Sequence, residues 1–213
     1  MIIESFKRQA PAFVPQTPDK DDHVAWLFLM QHHGSPTRLL DWSKNALAAL
    51  YFAVNKDFDE DGELWAMYPG ALNKHNGFAG IPLPRNRCLK YLAAEPALNN
   101  PETYAKEIGL KEIPQYPLAV DPPLNFSRMI AQQSAFTILP RPTEGTSIPE
   151  ILTDPKELVR YMVPKSQKKN LLSSLANLGF KRLTLFPDLE SLSQEIIEDR
   201  NVVAYFPPDP PKW

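Results

Sequence analysis

Apolar positions in this chain fall in short bursts between polar, proline-marked stretches, and each burst carries the period of one element. Residues 2–13 are amphipathic but cut by Pro11 and Pro15, which predicts a helix followed by a proline-rich connector. Asp21 and Asp22 stand where a helix N-cap belongs. From there to about His33, Val24, Trp26, Leu27, Phe28 and Met30 leave little polar face, the mark of a buried helix. Gly34 is a suitable C′ residue and Pro36 lies just beyond. In the connector 35–42, Leu39 and Leu40 predict a short strand. A helix follows from about Lys44 to Val54, with Ala46, Leu47, Ala49, Leu50 and Ala53 at helical spacing and Asp41 or Ser43 as its cap. Residues 63–68, ELWAMY, read as a strand after an acidic turn.

The pattern weakens from Pro69 to Pro123, where prolines recur and only short helices near 87–93 and 102–107 are expected. It returns with a helical turn at 129–133, a strand at 135–139, a turn-rich loop at 140–150 and a strand at 158–163 ended by Pro164. A helix over 166–178 carries Leu171, Leu172, Leu175 and Leu178 on one face and stops at Gly179. A short strand is expected at 183–186. Asp188 then caps a helix to about Glu198, with Leu192, Ile196 and Ile197 inward. The tail FPPDPPKW reads as polyproline-like. Helices and strands mix without a βαβ rhythm, which predicts an α+β fold: a small mixed or antiparallel sheet flanked by helices. Residues 1–200 read as a single domain and 201–213 as a proline-rich tail.

Composition adjusts this picture in three ways. There are 23 prolines and only 8 glycines in 213 residues, so many connections are stiff. Lys and Arg number 23 against 25 Asp and Glu, a balance of −2 that speaks against nucleic acid as a general partner. The single cysteine, Cys88, removes any internal disulfide or cysteine-based zinc site. No apolar run approaches the ~20 residues of a membrane span, and the N-terminus lacks a secretory pattern. These features predict a soluble, cytoplasmic protein without a membrane role.

The motif search excludes more than it finds. The phosphate-cradling glycine loops and the GxSxG elbow are missing. His32 and His33 are adjacent, point about 100° apart on a helix and do not make a metal site, so no metal is expected. Lys165, Lys168, Lys169, Lys181 and Arg182 form a basic cluster that reads as a solvated helix face, and the run from Asp57 to Asp61 as a solvated turn. One stretch stands out: QHHGSPTRLLDWS, residues 31–43. Its imidazoles, guanidinium, carboxylate, indole and hydroxyls must find partners in a half-buried loop. Arg38 and Asp41 are candidates for an ion pair that fixes the loop. Chemistry leaves two readings open, a structural hydrogen-bonded corner and a ligand site. A second constellation is Arg128, Gln132 and Gln133 before the strand at 135–139. Helical geometry puts Arg128 and Gln132 on one face, suited to gripping a polar ligand or to surface hydrogen bonding.

QHHGSPTRLLDWSKNALAALYFAV resembles the core signature of the FRG domain, named for a Phe-Arg-Gly motif, and RMIAQQSAFTI resembles that family's second block, with Ser134 where glycine is usual. The helix and FPDLESL ending over 166–192 resembles its close. No FRG or YRG tripeptide occurs in the chain, so it reads as a domain lacking its first strand and that arginine. More distantly, the order of blocks is similar to the ADP-ribosyltransferase fold. The resemblance implies an NAD-binding site in which Ser43 and Gln132 are the catalytic-position residues. His32, His33, Thr37, Arg38, Asp41, Arg128 and Gln133 would be the ligand contacts. The implied cofactor is NAD, a nucleotide ligand with no metal, in a bacterial stress or phage-defence setting. The alternative is a non-catalytic module that binds a ligand or a protein partner, or an inactive fragment.

Overall fold

In the computed structural model, which describes residues 2–82, 86–94, 96–123, 126–140 and 147–198, most helices begin where the sequence offers a capping side chain or a proline. The first half runs α1 (Ile2–Gln9), a 3-10 turn (Ala10–Ala12), α2 (His23–His32), β1 (Leu39–Ser43), α3 (Ala46–Val54), β2 (Gly62–Met67), α4 (Pro69–Lys74), α5 (Arg87–Ala93), α6 (Pro96–Asn99) and α7 (Pro101–Glu107). Then come β3 (Leu118–Val120), α8 (Ser127–Ala131), β4 (Ser134–Ile138), α9 (Ile148–Ile151), β5 (Leu158–Val163), α10 (Lys165–Asn177), α11 (Arg182–Leu185) and α12 (Leu189–Glu198). One sheet has the order β1-β4-β3 and the other pairs β2 with β5, so the fold is α+β, as expected. The expected tail at 201–213 and most of the loop at 140–150 lie outside the described residues. The chain forms two compact units. One takes the described residues of 1–42, 65–124 and 134–161, and the other those of 43–64, 125–133 and 162–213.

In the first unit, Asp22 Oδ1 accepts from the Ala25 N–H at 3.0 Å and starts α2. Val24, Trp26, Leu27, Phe28, Leu29 and Met30 are all buried, which is why this helix shows almost no polar face. Phe28 meets Phe136 of β4 edge-on at 5.1 Å between ring centroids. β3 and β4 run antiparallel, with Leu118 opposite Ile138 and Val120 opposite Phe136. Beside them Ala71, Leu72, Ala119, Ile148 and Leu152 form a core that Trp42, Met67 and Leu158 border. β3, α4 and α9 go beyond the sequence expectation, because three to six residues are too short to show a period. Asn73 replaces that missing signal. Wholly buried, it donates from Nδ2 to the carbonyls of Gly80 and Ala119, each at 2.9 Å, and accepts from the Ala119 N–H at 2.7 Å.

The second unit corrects five expectations. The cap of α3 is Asn45, not Asp41 or Ser43: Asn45 Oδ1 accepts from Leu47 N at 2.9 Å and Ala48 N at 3.4 Å, while Asp41 and Ser43 belong to β1. Residues 182–185 are helix rather than strand, because the Lys181 N–H finds Thr184 Oγ1 at 2.9 Å and closes a turn. Leu178 is 64% exposed, since α10 ends at Asn177 and the chain reverses through Gly179 at φ +87°. Leu192, Ile196 and Ile197 of α12 face outward, with Ile197 65% exposed, and Ser191 is the fully buried residue of that helix. The core of this unit is Ala48, Tyr51, Val54, Val163, Leu175 and Leu185, bordered by Leu171 and Leu172. The basic cluster is not a uniform solvated face either. Lys168 is 2% exposed, and its ammonium donates to the carbonyls of Asp57 at 2.8 Å and Glu60 at 3.2 Å. The acidic turn and the basic helix are therefore one device, in which a lysine organises loop carbonyls.

Two substitutions test this packing. A Cβ at Gly62 would stand 2.3 Å from the Ala53 carbonyl oxygen, a backbone atom that cannot yield. Gly62→Ala should therefore cost about 1–3 kcal/mol in denaturant unfolding, with the slope unchanged. Lys168→Met keeps the aliphatic stem but leaves two carbonyls without their donor. It should cost about 2 kcal/mol. Wild-type stability in Lys168→Met would show that the ammonium does not anchor the turn.

Candidate functional site

The corner predicted at residues 31–43 is built by α2 ending at a left-handed glycine, Gly34 at φ +72°, which turns the chain toward β1. Gln31, in the last turn of α2, donates from Nε2 to Asp41 Oδ2 at 2.8 Å and accepts the Thr37 hydroxyl on Oε1. Thr37 Oγ1 in turn accepts the Leu39 N–H at 3.0 Å. Arg38 and Leu139 grip each other: Arg38 Nη1 donates to the Leu139 carbonyl at 2.5 Å, and the Leu139 N–H donates to the Arg38 carbonyl at 3.0 Å. Trp42 Nε1 reaches Thr137 Oγ1 at 3.2 Å. His32 and His33 meet edge-on at 4.9 Å. His32 is half-buried, while the exposed His33 lines an apolar groove with Phe6, Phe13 and Leu29. Thus His32, His33, Thr37, Arg38 and Asp41 all fall in the first unit, and Gln31 is bonded to both Thr37 and Asp41.

Ser43, Arg128, Gln132 and Gln133 fall in the second unit. The turn after α8 closes with the Gln132 N–H on the Arg128 carbonyl at 3.0 Å, which keeps these two residues one turn apart, as expected. Gln133 then adopts φ +47°, a left-handed conformation unusual for its side chain. Ser43 Oγ lies 2.7 Å from the Gln132 carbonyl, and the Gln133 carbonyl accepts the Lys44 N–H at 2.9 Å. The Gln132 side chain donates from Nε2 to the Leu185 carbonyl at 2.9 Å. Both catalytic-position groups therefore donate to backbone carbonyls.

Arg128 differs. Its half-buried guanidinium lies over the Phe186 ring, 4.5 Å from the centroid, and no hydrogen bond or ion pair joins it to a described residue. Arg182 approaches the same ring at 5.8 Å and is paired with Glu190 at 3.2 Å. Phe52 supports the ring edge-on at 5.8 Å. Asp188 is held below the usual carboxylate range, first by the Ser191 N–H and then by the nearby Arg182 and Arg128. It stays ionised beside the two arginines, but it is spent on capping α12 through a 2.7 Å bond to the Ser191 N–H.

Sequence reasoning missed Phe186 and Arg182 as partners of Arg128, because residues over 50 positions apart meet only in the folded unit. It also missed a charged cleft around Lys7, His23 and Tyr104, for which no motif exists. Cys88 is buried and its thiol is pushed up by that burial, which makes it a packing residue. Among the described residues no three His, Cys, Asp or Glu side chains converge as a metal site would require, and no helix is long and apolar enough to cross a membrane.

Comparison with protein families matches the chain to the FRG domain over residues 1–62. That segment contains α1, α2, β1, α3 and the whole QHHGSPTRLLDW corner, whereas Arg128, Gln132 and the FPDLESL ending lie beyond it. No curated protein and no solved structure matches the chain. Residues 31–43, which build the corner, lie within the matched segment, and over residues 1–62 the chain is similar to the FRG domain.

Proposed function

We propose that this FRG-domain chain binds a nucleotide of the NAD class, with Arg128 as the principal contact to phosphate and Ser43, Gln132 and Gln133 holding the turn that presents it. The observation that carries the reading is the state of Arg128. Its guanidinium carbon lies over Phe186, half-buried, with its N–H groups in no hydrogen bond to a described residue. Stacking fixes the plane without using the donors, so the fork is pre-organised for an oxyanion that accepts two parallel hydrogen bonds. Arg182 adds a second positive charge at the same ring. Ser43 and Gln132 act in this reading as positioning residues, since both donate to backbone carbonyls. A glutamine is no general base. Any transfer chemistry of the ADP-ribosyltransferase kind would rest on orientation and on electrostatic stabilisation of a positively charged sugar centre.

A second reading has its own support at the other candidate cluster. Gln31 bonds both Asp41 and Thr37, and Arg38 is tied to Leu139, which supports a scaffold role for this corner. A binding module of this kind, without turnover, suits the regulatory role in bacterial stress or phage defence that the FRG resemblance suggests.

Calorimetric titration of NAD into the full 213-residue chain tests the proposal. Arg128→Ala should weaken binding at least about tenfold, or ~1.4 kcal/mol, without lowering the melting temperature by more than a degree or two. Arg128→Lys should recover only part of the loss, because an ammonium cannot reproduce the fork. Gln132→Ala should lose about 1 kcal/mol of stability with its bond to Leu185, and its affinity for NAD should fall in step. NAD binding that is undiminished in Arg128→Ala overturns the assignment. Absence of binding by the wild-type chain leaves the scaffold reading in its place.

A further inference from the structure

A cleft of about 1140 Å³ opens in the first unit between two walls of opposite character. One wall comes from α1, the connector before α2 and the first residue of α2. It carries every cation of the lining, Lys7, Arg8 and Lys20, together with His23. The other comes from α7 and the two residues before it. It carries Asn99, Asn100, Thr103, Tyr104 and Glu107 and no cation. Acids are present on the first wall as well, but Glu4 is paired with Lys7 at 3.6 Å, which leaves Asp21 against Arg8 and Lys20.

The chemistry of the first wall centres on a contact between two bases. Lys7 Nζ lies 3.4 Å from His23 Nδ1, and the Lys7 side chain is only 13% exposed. An ammonium has no lone pair to offer, so the imidazole must be the acceptor: His23 is neutral, its Nδ1 receives the lysine proton, and its Nε2 carries the hydrogen. The surroundings agree. Burial and then Lys7 lower the His23 pKa, with Lys90 of α5 acting the same way and Asp21 and Glu4 opposing. The neutral ring stays a hydrogen-bond donor through Nε2, and Lys7 keeps a third N–H beyond those facing Glu4 and His23. On the far wall the Tyr104 hydroxyl is pushed up by burial and by Glu107, and so remains protonated.

We infer that this cleft is a binding site for a small, polar, anionic metabolite. Its phosphate or carboxylate group sits against Lys7, Arg8, Lys20 and His23, and its hydroxyl- or amine-bearing body against Asn100, Thr103, Tyr104 and Glu107. The segregation of cations onto one wall orients the ligand. The volume is generous for such a molecule, since pockets for small ligands span roughly 300–1,000 Å³. A bound anion changes the balance at His23, because a negative charge beside the ring favours imidazolium. Binding is therefore accompanied by proton uptake and strengthens as pH falls toward the ordinary histidine range. None of these residues belongs to the Arg128 turn, so this site stands or falls independently of NAD binding there.

The test follows the His23 ring by NMR during pH titration of the full chain, with inorganic phosphate and, separately, succinate as probes and sodium chloride at matched ionic strength as reference. Phosphate or succinate should raise the His23 midpoint saturably by about half a unit, while chloride leaves it in place. The probe that acts identifies the anion as phosphate or carboxylate. Arg8→Ala/Lys20→Ala, both at exposed positions, should abolish the probe-induced rise while leaving the probe-free midpoint near its wild-type value. Lys7→Met should by itself raise the probe-free midpoint, since it removes the adjacent positive charge. If neither probe moves the midpoint beyond chloride, or if the rise survives in the double variant, the site is refuted.

Discussion

The constraint on which this structure depends is the demand of loop carbonyls for donors. A chain with short strands leaves many backbone oxygens outside any ladder, and each that is buried costs free energy unless it is paired. Here long polar side chains supply the missing donors, over and over. Asn73 ties Gly80 to Ala119, and Asn76 reaches Tyr116 at 2.8 Å. Arg87 reaches Gly109 at 3.0 Å and Arg38 reaches Leu139. In the second unit Lys168 gathers Asp57 and Glu60, Ser43 serves Gln132, and Gln132 serves Leu185. Prolines stiffen the same connections by limiting the conformations available to the unfolded chain.

This economy decides how the polar residues of the candidate sites are to be understood. A serine, a glutamine and an arginine in an unusual motif invite a catalytic reading, yet in this fold such residues are also the mortar. Ser43, Gln132 and Arg38 each have a carbonyl to hold, and losing that bond would disturb the backbone before it disturbed any ligand. Arg128 stands out by the same reasoning. It is a half-buried cation whose described contact is an aromatic face, and a ring satisfies its charge without satisfying its donors. A guanidinium so placed has five N–H groups in one plane, and no described residue receives them in a hydrogen bond.

How much of this was legible in the sequence follows from where the information resides. α2 was readable because cap, apolar content and stop signal agreed within a dozen residues, from Asp22 to Gly34. The α+β class was readable from the irregular alternation of periods. The cap of α3 was not: Asp41, Ser43 and Asn45 are all good capping residues within five positions, and the β1 ladder claims the first two. α12 shows an amphipathic period, but its apolar residues face outward, because period alone does not say what covers a face. Among the candidate residues, composition picked out the corner at 31–43 correctly as a set of groups needing partners. It could not say that Gln31 would answer Thr37 and Asp41, since rotamers and a left-handed glycine decide that.

The pairings that sequence cannot show are those that join distant segments through charge. The run from Asp57 to Asp61 and the cluster around Lys168 each look like solvated surface when taken alone. Their relation is set by backbone carbonyls, which carry no sequence signal, so the acidic side chains were a distraction and the oxygens beneath them were the binding groups. The contact between Lys7 and His23 obeys the same logic. Two bases meet at 3.4 Å, and their contact forms part of a donor-rich wall that faces a cleft. Where donors are not given to the chain's own carbonyls, at Arg128 over Phe186 and among the cations of the first turns, the physical case for a ligand is strongest.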